Sequence, residues 1–391
     1  MKTVIKNGRI IIGDDILEGY SLCYEDGVIT ALAEGELAAD EVIDANGNYV
    51  SAGFIDMHTH GAGGYDFLDE TVEAYLAAAE MMARHGATSI TPTLTSVDAD
   101  GMKRSVAVYK EAAKKNDKGA TFLGLHAEGP YFAESQKGAQ ESRFIHPFVP
   151  EEYREILDIA DGAIIRWSAA PELDGMEGFA KYAGERGVLL SIGHSDADYE
   201  DAMRAYELGF THLTHFYSAM STVHRRNAFR YAGVVEAGYL TDDMTVEIIA
   251  DGIHLPAPLL KLIYKVKGAD NIALITDSIR AAGMPEGPSV IGKIDNGMEV
   301  IVEDGVAKLL DRTAFAGSVA TFDRLIRNMI NMAGVSLTDT VKMASRTPAR
   351  ILGLKTKGEI KVGYDADIVI FDEDINVKRT VIAGRTVFSA N

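Results

Sequence analysis

The chain has 391 residues, of which 47% are hydrophobic and 25% are charged, as in an ordinary folded protein rather than a disordered one. Lys and Arg number 38 against 58 Asp and Glu, and the net charge of −20 argues against nucleic acid or an anionic membrane surface as the main partner. The single cysteine, Cys23, excludes an internal disulfide framework and a cysteine-built metal site. The sequence has neither an apolar run long enough for a membrane span nor a signal-peptide pattern, so we expect a soluble cytoplasmic protein.

Short β-rich segments occupy both ends of the chain. Near the N-terminus they alternate with turn pairs such as Asn7-Gly8, and the last forty or so residues repeat the pattern from 359–360 to 385–388. Neither end is long enough to make a domain alone. We therefore predict that residues 1–52 and 355–391 together form one small β-sandwich.

Residues 53–354 alternate short apolar runs with amphipathic segments of helical length. The predicted strands are 54–57, 88–91, 121–125, 163–168, 188–192, 211–214, 245–250 and 271–276, and the predicted helices between them include 72–84, 99–115, 176–185 and 197–207. Apolar strands separated by helices predict a parallel sheet covered on both faces. Eight of them favour a (β/α)8 barrel of the TIM type. An open doubly wound sheet is the alternative, but no glycine-rich dinucleotide-binding turn follows an early strand.

The segment after the eighth predicted strand has a different pattern. A hairpin is predicted over 298–309, where Asp304-Gly305 supplies the turn. Helices are predicted to resume near 318–332 and 339–345.

Ligand-type side chains stand at the C-terminal ends of the predicted barrel strands, where barrel enzymes place their chemistry. They are His58 and His60 after strand one, Glu128 after strand three, His194 after strand five, His215 after strand six and Asp277 after strand eight. His58 and His60 are two residues apart, so both imidazoles point to the same side of the strand and can hold one ion. Any one of these histidines is more often a hydrogen-bonded structural residue, and it is the set of six that favours a metal site.

The donor types indicate which metals are suitable. Imidazole and carboxylate without thiolate suit Zn²⁺, Fe²⁺ or Mn²⁺. Asp277 follows the apolar run 272–276, and we expect it to act as general base toward a water whose pKa the metal lowers to about 7. A helix cap or a plain metal ligand is the alternative. We expect His126 to be structural or to support a ligand, and His212 to point away from His215 because strand side chains alternate.

Several motifs resemble the amidohydrolase superfamily and, more closely, its N-acetylglucosamine-6-phosphate deacetylases, over nearly the whole chain. Residues 51–61, which include His58 and His60, resemble that family's PGxIDxHxHG opening, and residues 126–130 resemble its HxEGP motif. Residues 250–254 match ADGxH, and 363–368 resemble the closing GxDADLV strand. The HxH pair is common to the superfamily, whereas HxEGP and ADGxH together are specific to this branch.

The resemblance implies that Glu128, His194 and His215 hold the main metal ion. A second ion can lie between His58, His60 and the carboxylates, so one or two divalent ions per subunit are expected. The resemblance also implies substrate contacts, with Arg226 taking the phosphate; the other expected contact residues are Ala139, Gln140, Ser218, Ala219, His254, Phe315, Ala316 and Gly317. Members of this branch are typically dimers, so a homodimer is expected.

Three departures from the family pattern fall in the expected substrate pocket. Gln140 stands where the family has a histidine that is expected to polarise the amide carbonyl, and an amide can donate a hydrogen bond but cannot carry a proton. Ser218 replaces an asparagine, and the residues after Arg226 read Asn-Ala-Phe instead of Glu-Pro-Gly. We expect all three to touch the substrate pocket and none to touch the metal ligands, so the departures bear on the substrate rather than on the chemistry.

These observations lead to three hypotheses. The first is a metal-dependent hydrolase that removes the acetyl group from N-acetylglucosamine 6-phosphate. The second keeps the metal chemistry but takes another N-acyl amino sugar, such as N-acetylgalactosamine 6-phosphate or an unphosphorylated sugar, or a cyclic amide. The third is a non-enzymatic barrel that serves as a binding protein, and the intact set of six ligand-type residues argues against it. The expected partner is a small amino-sugar phosphate, not a nucleic acid or a membrane.

Overall fold

Seven strands precede the barrel in the computed structural model, which describes residues 1–390. They are β1 (Lys2–Lys6), β2 (Arg9–Ile12), β3 (Asp15–Leu17), β4 (Tyr20–Glu25), β5 (Val28–Glu34), β6 (Glu41–Asp44) and β7 (Tyr49–Ala52). One sheet has the order β5-β4-β1-β6. Asp26 and Gly27, which join β4 to β5, have φ angles of +49° and +82°, and this left-handed backbone is why an Asp-Gly pair stands there.

Eight parallel strands then form the barrel. The strands of this region are β8 (Phe54–Thr59), β9 (Gly61–Ala62), β10 (Tyr65–Asp66), β11 (Ala87–Leu94), β12 (Thr121–Phe122), β13 (Leu125–Glu128), β14 (Ile164–Ala169), β15 (Leu189–Ile192), β16 (Phe210–Leu213), β17 (His224–Arg226), β18 (Phe229–Tyr231), β19 (Thr245–Ile248) and β20 (Ile272–Leu274). Pairing runs from β8 through β11, β13, β14, β15, β16 and β19 to β20. The predicted (β/α)8 barrel is confirmed.

The ends of the barrel sheet meet between β8 and the residues that follow β20. The Asp277 backbone N–H donates to His58 O at 2.9 Å. The buried carboxylate of Asp56 accepts from both the backbone N–H (3.2 Å) and the hydroxyl (2.5 Å) of Thr276. Burial raises the pKa of Asp56 to about 7 against these hydrogen bonds. The side chain of Asp56 therefore helps to close the barrel. This closure lies next to His58 and Asp277, two of the six predicted ligand-type residues.

The last strands return to the N-terminal unit. These last strands are β24 (Ile368–Phe371), β25 (Val377–Ile382) and β26 (Arg385–Ser389). Before them, a separate three-stranded sheet is formed by β21 (Gly287–Ile291), β22 (Met298–Glu303) and β23 (Val306–Leu309). β24 pairs with β7, which gives a second sheet of order β26-β25-β24-β7-β2-β3. Ile5 and Leu22 from the first sheet share one buried cluster with Val50, Ile368 and Val381 from the second. The predicted β-sandwich of both chain ends is confirmed.

One predicted strand is wrong. Residues 359–360 form no strand, because the chain turns at Gly358 with φ of +86°. A Cβ at this glycine would lie 2.7 Å from Ser345 O, so the segment is packed against a helix junction and not paired in a sheet. Ile360 still lies in the sandwich core.

The helices cover the outside of the barrel. They are α1 (Val72–Arg84), α2 (Ala99–Lys115), α3 (Pro150–Ala160), α4 (Met176–Gly184), α5 (Tyr199–Glu207), α6 (Val234–Leu240), α7 (Ala257–Lys267), α8 (Phe322–Asn328), α9 (Leu337–Ala344) and α10 (Arg346–Ile351). α1 and α2 begin where predicted because Thr71 and Asp98 cap them with side-chain oxygens. α8 begins four residues later than the predicted 318 and continues as a π-helical turn, Met329–Ala333. Within residues 1–390, no helix is long and apolar enough to cross a membrane.

Candidate metal centre and active site

A cavity of about 370 Å³ opens at the C-terminal ends of the barrel strands. Five of the six predicted ligand-type residues line it, and the sixth, His58, lies buried immediately behind them. The lining residues are His60, Thr95, Glu128, Ser135, Gln136, Gly138, Ala139, Gln140, His194, His215, Ser218, Ala219, His254, Asp277, Ile291, Ala314, Phe315 and Gly317. The strand-end positions predicted from the sequence therefore meet at one site.

Glu128, His194 and His215 form the first group of possible metal ligands. His194 Nδ1 donates to Gln136 O at 2.9 Å, and His215 Nδ1 donates to Ser218 O at 3.2 Å. Because a carbonyl only accepts, each neutral imidazole carries its proton on Nδ1 and a lone pair on Nε2. The two Nε2 atoms are 3.1 Å apart, and Glu128 Oε1 lies 3.1 Å from that of His215. Three electron pairs that converge in this way suit a cation between them.

His58, His60 and Asp277 form the second group. His58 Nε2 is buried and lies 3.3 Å from both Glu128 Oε1 and Asp277 Oδ1, yet it makes no aligned hydrogen bond to any residue of 1–390. His60 Nε2 lies 3.0 Å from Asp277 Oδ1 and 3.4 Å from Glu128 Oε2. An orphaned imidazole nitrogen that faces two carboxylates fits a divalent ion with nitrogen and oxygen ligands.

The charges of the two groups are strongly interdependent. Burial raises the pKa of Glu128, but the charge of the neighbouring His58 outweighs it, and that pKa lies well below its usual value. Burial likewise lowers the pKa of His58, but the surrounding carboxylates outweigh it and hold that pKa well above its usual value. The arrangement thus keeps the carboxylates ionised although their side chains are almost fully buried.

Backbone strain marks the same positions. His194, His215 and Asp277 have φ angles of +49°, +30° and +47°, in the left-handed region that L-residues rarely adopt. Ala219, on the cavity wall, has φ of +50°. Strained backbone of this kind persists where surrounding structure over-determines it, and it clusters at functional sites.

The expectation that none of the three departures touches the possible metal ligands is wrong for Gln140, which contacts Glu128. The Oε1 of Gln140 accepts from the Ser96 backbone N–H at 2.8 Å, and its Nε2 donates to Glu128 Oε2 at 3.0 Å. Because a backbone N–H only donates, this pair of bonds determines which way the amide faces. The residue that departs from the family pattern therefore orients one oxygen of Glu128.

The other predicted pocket residues divide into two sets. His254 lies on the wall with Nδ1 2.8 Å from Asp251 Oδ2, and its ring packs on Phe315 at 4.7 Å between centroids. Ser218, Ala219, Ala139 and Gly317 also line the cavity. Ala316 does not, because its side chain is buried in the small apolar cluster under β21–β23.

Arg226 is not brought to the cavity of its own chain. It lies in β17, on a hairpin with β18, and its side chain is 55% exposed. Its guanidinium pairs with the carboxylate of Asp198 at 2.6 and 2.7 Å. Within one chain the predicted phosphate contact is therefore replaced by a surface ion pair.

Sequence reasoning missed Glu247, which lies fully buried in β19. Glu247 Oε1 accepts from His58 Nδ1 at 2.6 Å, and Oε2 lies 2.5 Å from Arg166 Nη1. Arg166, also fully buried, donates in addition to Met57 O and to Thr214 Oγ1. The signal was available, since Glu247 and Arg166 are isolated opposite charges inside two otherwise apolar strands.

The expectation that His212 points away from the site is wrong. Its ring lies inside the barrel, with Nδ1 2.7 Å from Thr245 Oγ1 and Nε2 3.4 Å from Glu247 Oε2. Strand alternation fails because β16 ends at Leu213 and the left-handed backbone of His215 turns that side chain inward as well. Burial lowers the pKa of His212 to about 4. His126 is hydrogen-bonded to Thr93 and Ser168 in the barrel interior.

Comparisons with known proteins agree with the fold. The model of the Amidohydrolase family matches residues 49–387. The chain is 32% identical to an N-acetylglucosamine-6-phosphate deacetylase of Lysinibacillus sphaericus over 100% of this chain and 99% of that one. It is 29% identical to an N-acetylgalactosamine-6-phosphate deacetylase of Escherichia coli O157:H7, over 98% and 99% of the two chains. The crystal structure of an N-acetylglucosamine-6-phosphate deacetylase from Pasteurella multocida covers both chains completely at 31% identity, with a TM-score of 0.92.

Proposed function

The chain belongs to the amidohydrolase family, among the N-acetylglucosamine-6-phosphate deacetylases, and from this we propose that it hydrolyses the acetamide of N-acetylglucosamine 6-phosphate. The products are acetate and glucosamine 6-phosphate. The observation that carries the proposal is the convergence of six imidazole and carboxylate side chains on one cavity at the C-terminal end of the barrel.

We propose that a divalent ion binds to Glu128, His194 and His215. This site is suited to a cation because the Nε2 atoms of His194 and His215 face each other and a carboxylate oxygen of Glu128. The proposed second position uses His58, His60 and Asp277, and the candidate metals are Zn²⁺, Fe²⁺ and Mn²⁺. When bound, such an ion polarises the acetamide carbonyl and lowers the pKa of water.

Asp277 is the proposed general base and acid. Its carboxylate faces the cavity and is held by His60 Nε2 at 3.0 Å, so it can accept a proton from an attacking water. The water oxygen forms the new bond to the carbonyl carbon. When the bond from carbon to nitrogen breaks, Asp277 gives the proton to the departing amine, which balances the hydrolysis.

The proposed substrate contacts lie around this centre. His254 is anchored through Nδ1 to Asp251, which leaves Nε2 available for a sugar hydroxyl. The Nε2 of Gln140 has two hydrogens and makes one hydrogen bond to residues 1–390, so the second can reach a substrate oxygen. Ala139, Ser218, Ala219, Phe315 and Gly317 supply the wall.

The proposed homodimer bears on the phosphate. Phe229 next to Arg226 on the same hairpin is 72% exposed, and an apolar side chain of this size is suited to burial against a second copy of the chain. In such a dimer, Arg226 would exchange Asp198 for the substrate phosphate in the neighbouring cavity. A cytoplasmic location is proposed because a chain with a single cysteine is typical of a reducing compartment.

A second candidate substrate is N-acetylgalactosamine 6-phosphate. The relative from Escherichia coli O157:H7 that acts on this sugar matches almost the whole chain. Two of the departures from the family pattern, Gln140 and Ser218, line the cavity in which the sugar would bind. The third, after Arg226, lies on the exposed hairpin that would contact the phosphate in a dimer.

The test is acetate release from a panel of four sugars: N-acetylglucosamine and N-acetylgalactosamine, each with and without the 6-phosphate. We expect the highest kcat/KM with N-acetylglucosamine 6-phosphate. A preference for the galactosamine epimer would favour the second candidate. Metal bound in stoichiometric amount without acetate release from any of the four would contradict both.

A further inference from the structure

The carboxylate of Glu247 lies at the centre of the barrel and contacts both groups of possible metal ligands. Its Oε1 accepts from His58 Nδ1 at 2.6 Å and from the His215 backbone N–H at 3.0 Å. Its Oε2 faces Arg166 Nη1 at 2.5 Å and His212 Nε2 at 3.4 Å. His58 belongs to one group and His215 to the other, so one oxygen atom touches a member of each.

The first contact determines the protonation of His58. Glu247 is paired with Arg166 through Oε2, and its Oε1 also accepts from the His215 backbone N–H, so both carboxylate oxygens face groups that can only donate. An ionised carboxylate only accepts, so His58 carries a proton on Nδ1. Nε2 of the same ring then faces Glu128 Oε1 and Asp277 Oδ1. A carboxylate behind a histidine in this way orients the ring and makes it a better metal donor.

The second contact holds the backbone from which the other group is built. His215 follows β16 with φ of +30°, a conformation that needs support from its surroundings. Glu247 supplies that support through the His215 N–H, and the Phe216 N–H also donates to the Glu247 backbone oxygen at 2.8 Å. Movement of β19 would therefore move the His215 ligand.

We propose that Glu247 is a positioning residue that couples the two metal positions. It sets the tautomer of His58 and the backbone of His215 at once, so that loss of its charge weakens metal binding at both groups. The inference rests on the proposed metal-dependent function, but metal binding is measured without acetate release, so failure of one is distinguishable from failure of the other.

The charge of Glu247, and not only its shape, is needed. A glutamine has one oxygen and cannot accept on both sides. The permanently charged Arg166 takes that oxygen, so the amide NH₂ faces His58 Nδ1 and the His215 N–H, which are themselves donors in the native protein. His58 then has to move its proton to Nε2, where it blocks a metal.

The experiment measures bound metal and its affinity in full-length Glu247→Gln by elemental analysis and competitive titration with Zn²⁺. We expect the affinity at both positions to fall ~10–100-fold, as for other residues that support a metal ligand. Asp323→Asn is the matched control, because it also removes a buried carboxylate paired with a histidine and an arginine, but at a place that contacts none of the six ligands. Wild-type affinity at both positions, or loss at the His58 position alone, would overturn the coupling.

The unpaired Arg166 in Glu247→Gln could prevent folding, so two further measurements keep the proposal decidable. The double variant Glu247→Leu, Arg166→Met carries neither charge, leaves no acceptor for His58 Nδ1 or the His215 N–H, and is titrated in the same way, with the same expected loss. The zinc-loaded wild-type protein is also studied by ¹⁵N NMR, with the His58 signal identified by its absence in His58→Gln. A proton on Nδ1 of His58 is expected. A proton on Nε2 would overturn the proposal whatever the variants do.

Discussion

Asp277 has a left-handed backbone, and its buried carboxylate lies next to the imidazoles of His58 and His60. Asp277→Asn keeps the shape and an oxygen for His60, but an amide cannot take a proton from water. We therefore expect the variant to fold and to bind metal, with kcat lower by ~10²–10⁴-fold. Steady-state kinetics and elemental analysis on the same sample test this.

Asp161→Asn is a suitable control for this variant. Asp161 is exposed and also has a left-handed backbone, which asparagine tolerates, so its activity should equal the wild type. If Asp277→Asn loses less than about tenfold in kcat, Asp277 holds the metal or caps the chain and another group moves the proton.

Residue-scale prediction from the sequence succeeded where chemistry alone identified the side chain. Histidines and carboxylates at strand ends are conspicuous, and all six predicted ones meet. The prediction that His212 points away from His215 failed, because the left-handed backbone of His215 departs from the alternation of side chains along a strand. Sequence reasoning also missed Glu247, whose partners Arg166 and His58 are distant in sequence and adjacent only in the barrel.

At the scale of elements, β8 and the residue that directly follows it supply the two histidines of the second group, His58 and His60. In the proposed function, Glu128, His194 and His215 by themselves hold one ion with open positions, so the second ion is not needed for the first to bind. The double variant His58→Ala, His60→Ala should therefore lower the metal content per subunit more than it lowers kcat. Replacement of the partly exposed His146 by alanine provides the control, with neither quantity changed.

Parallel loss of metal and activity in the double variant would have a different meaning. It would show that the reaction depends on the ion at His58 and His60, and that the two positions are ranked wrongly here.

The contact between the end of α1 and the start of α8 depends on one buried carboxylate. Asp323 accepts from His85 Nδ1 at 3.0 Å and from Arg327 at 2.7 Å. Burial raises its pKa, but His85 and the other donors outweigh it and hold the pKa far below its usual value. Asp323→Asn should lower the free energy of unfolding by ~1.5–3 kcal/mol near neutral pH.

The pH dependence of that difference follows from the sign of the shift. The folded-state pKa is depressed, so the stabilisation is complete above the unfolded-state value of about 4, declines progressively below it, and is fully lost only when the pH has fallen through the depressed folded-state pKa. The free energies of unfolding of wild type and Asp323→Asn should therefore begin to approach each other below about pH 4 and continue to do so as the pH falls further. Asp158→Asn breaks an exposed pair with Arg186 and should change stability much less. A difference between wild type and Asp323→Asn that does not vary with pH would exclude the ion pair as its source.

The boundaries of helices could be predicted where a particular side chain, such as an N-cap residue, determines where the helix begins. α1 and α2 match the prediction residue for residue because Thr71 and Asp98 stop the chain from being helical any earlier. The start of α8 was misplaced, because residues 318–321 are apolar enough to continue a helix but Ser318 hydrogen-bonds back to Thr276 and Asp277 instead. Long-range contacts of this kind have no local pattern.

At the scale of the whole molecule, the metal is expected to support both activity and stability. Chelation should abolish acetate release, and Zn²⁺, Fe²⁺ or Mn²⁺ should restore it. The melting temperature should fall in parallel, since an ion that binds only the folded chain stabilises it and its removal leaves the electron pairs of His194 and His215 facing each other. Full activity in a sample shown to be free of metal would contradict the mechanism.

Arg226 tests the proposed dimer and the proposed phosphate contact together. The chain carries a net charge of −20, so an anionic sugar has to be held by local positive charge. Arg226→Ala should raise KM for the phosphorylated sugar strongly and leave that for the unphosphorylated sugar nearly unchanged. Arg204→Ala, on α5, is the control for loss of one positive charge. Sedimentation should show a dimer; a monomer in which Arg226→Ala has no effect would leave Arg226 as the partner of Asp198 only.

The barrel and the sandwich were both predictable at this scale, because alternating apolar strands and helices admit few architectures. The division at residues 52/53 and 354/355 stays a prediction, and β7 continues almost directly into β8. The closure of the barrel through Asp56 and Thr276 had no sequence pattern, since a buried aspartate in a strand resembles any other ligand-type residue.

The pairing of β7 with β24 also imposes an order in time. Ser51 and Val369 are partners in the sheet, yet the ribosome completes the whole barrel between them. At ~5–20 residues per second, the first strands wait on the order of a quarter of a minute to a minute for the last. Throughout that interval, the backbone N–H and C=O groups of β7 that later pair with β24 have no partner. An unpaired strand edge of this kind can pair with another growing chain. The synthesis of β24 therefore ends the period in which β7 is open to pairing with another chain.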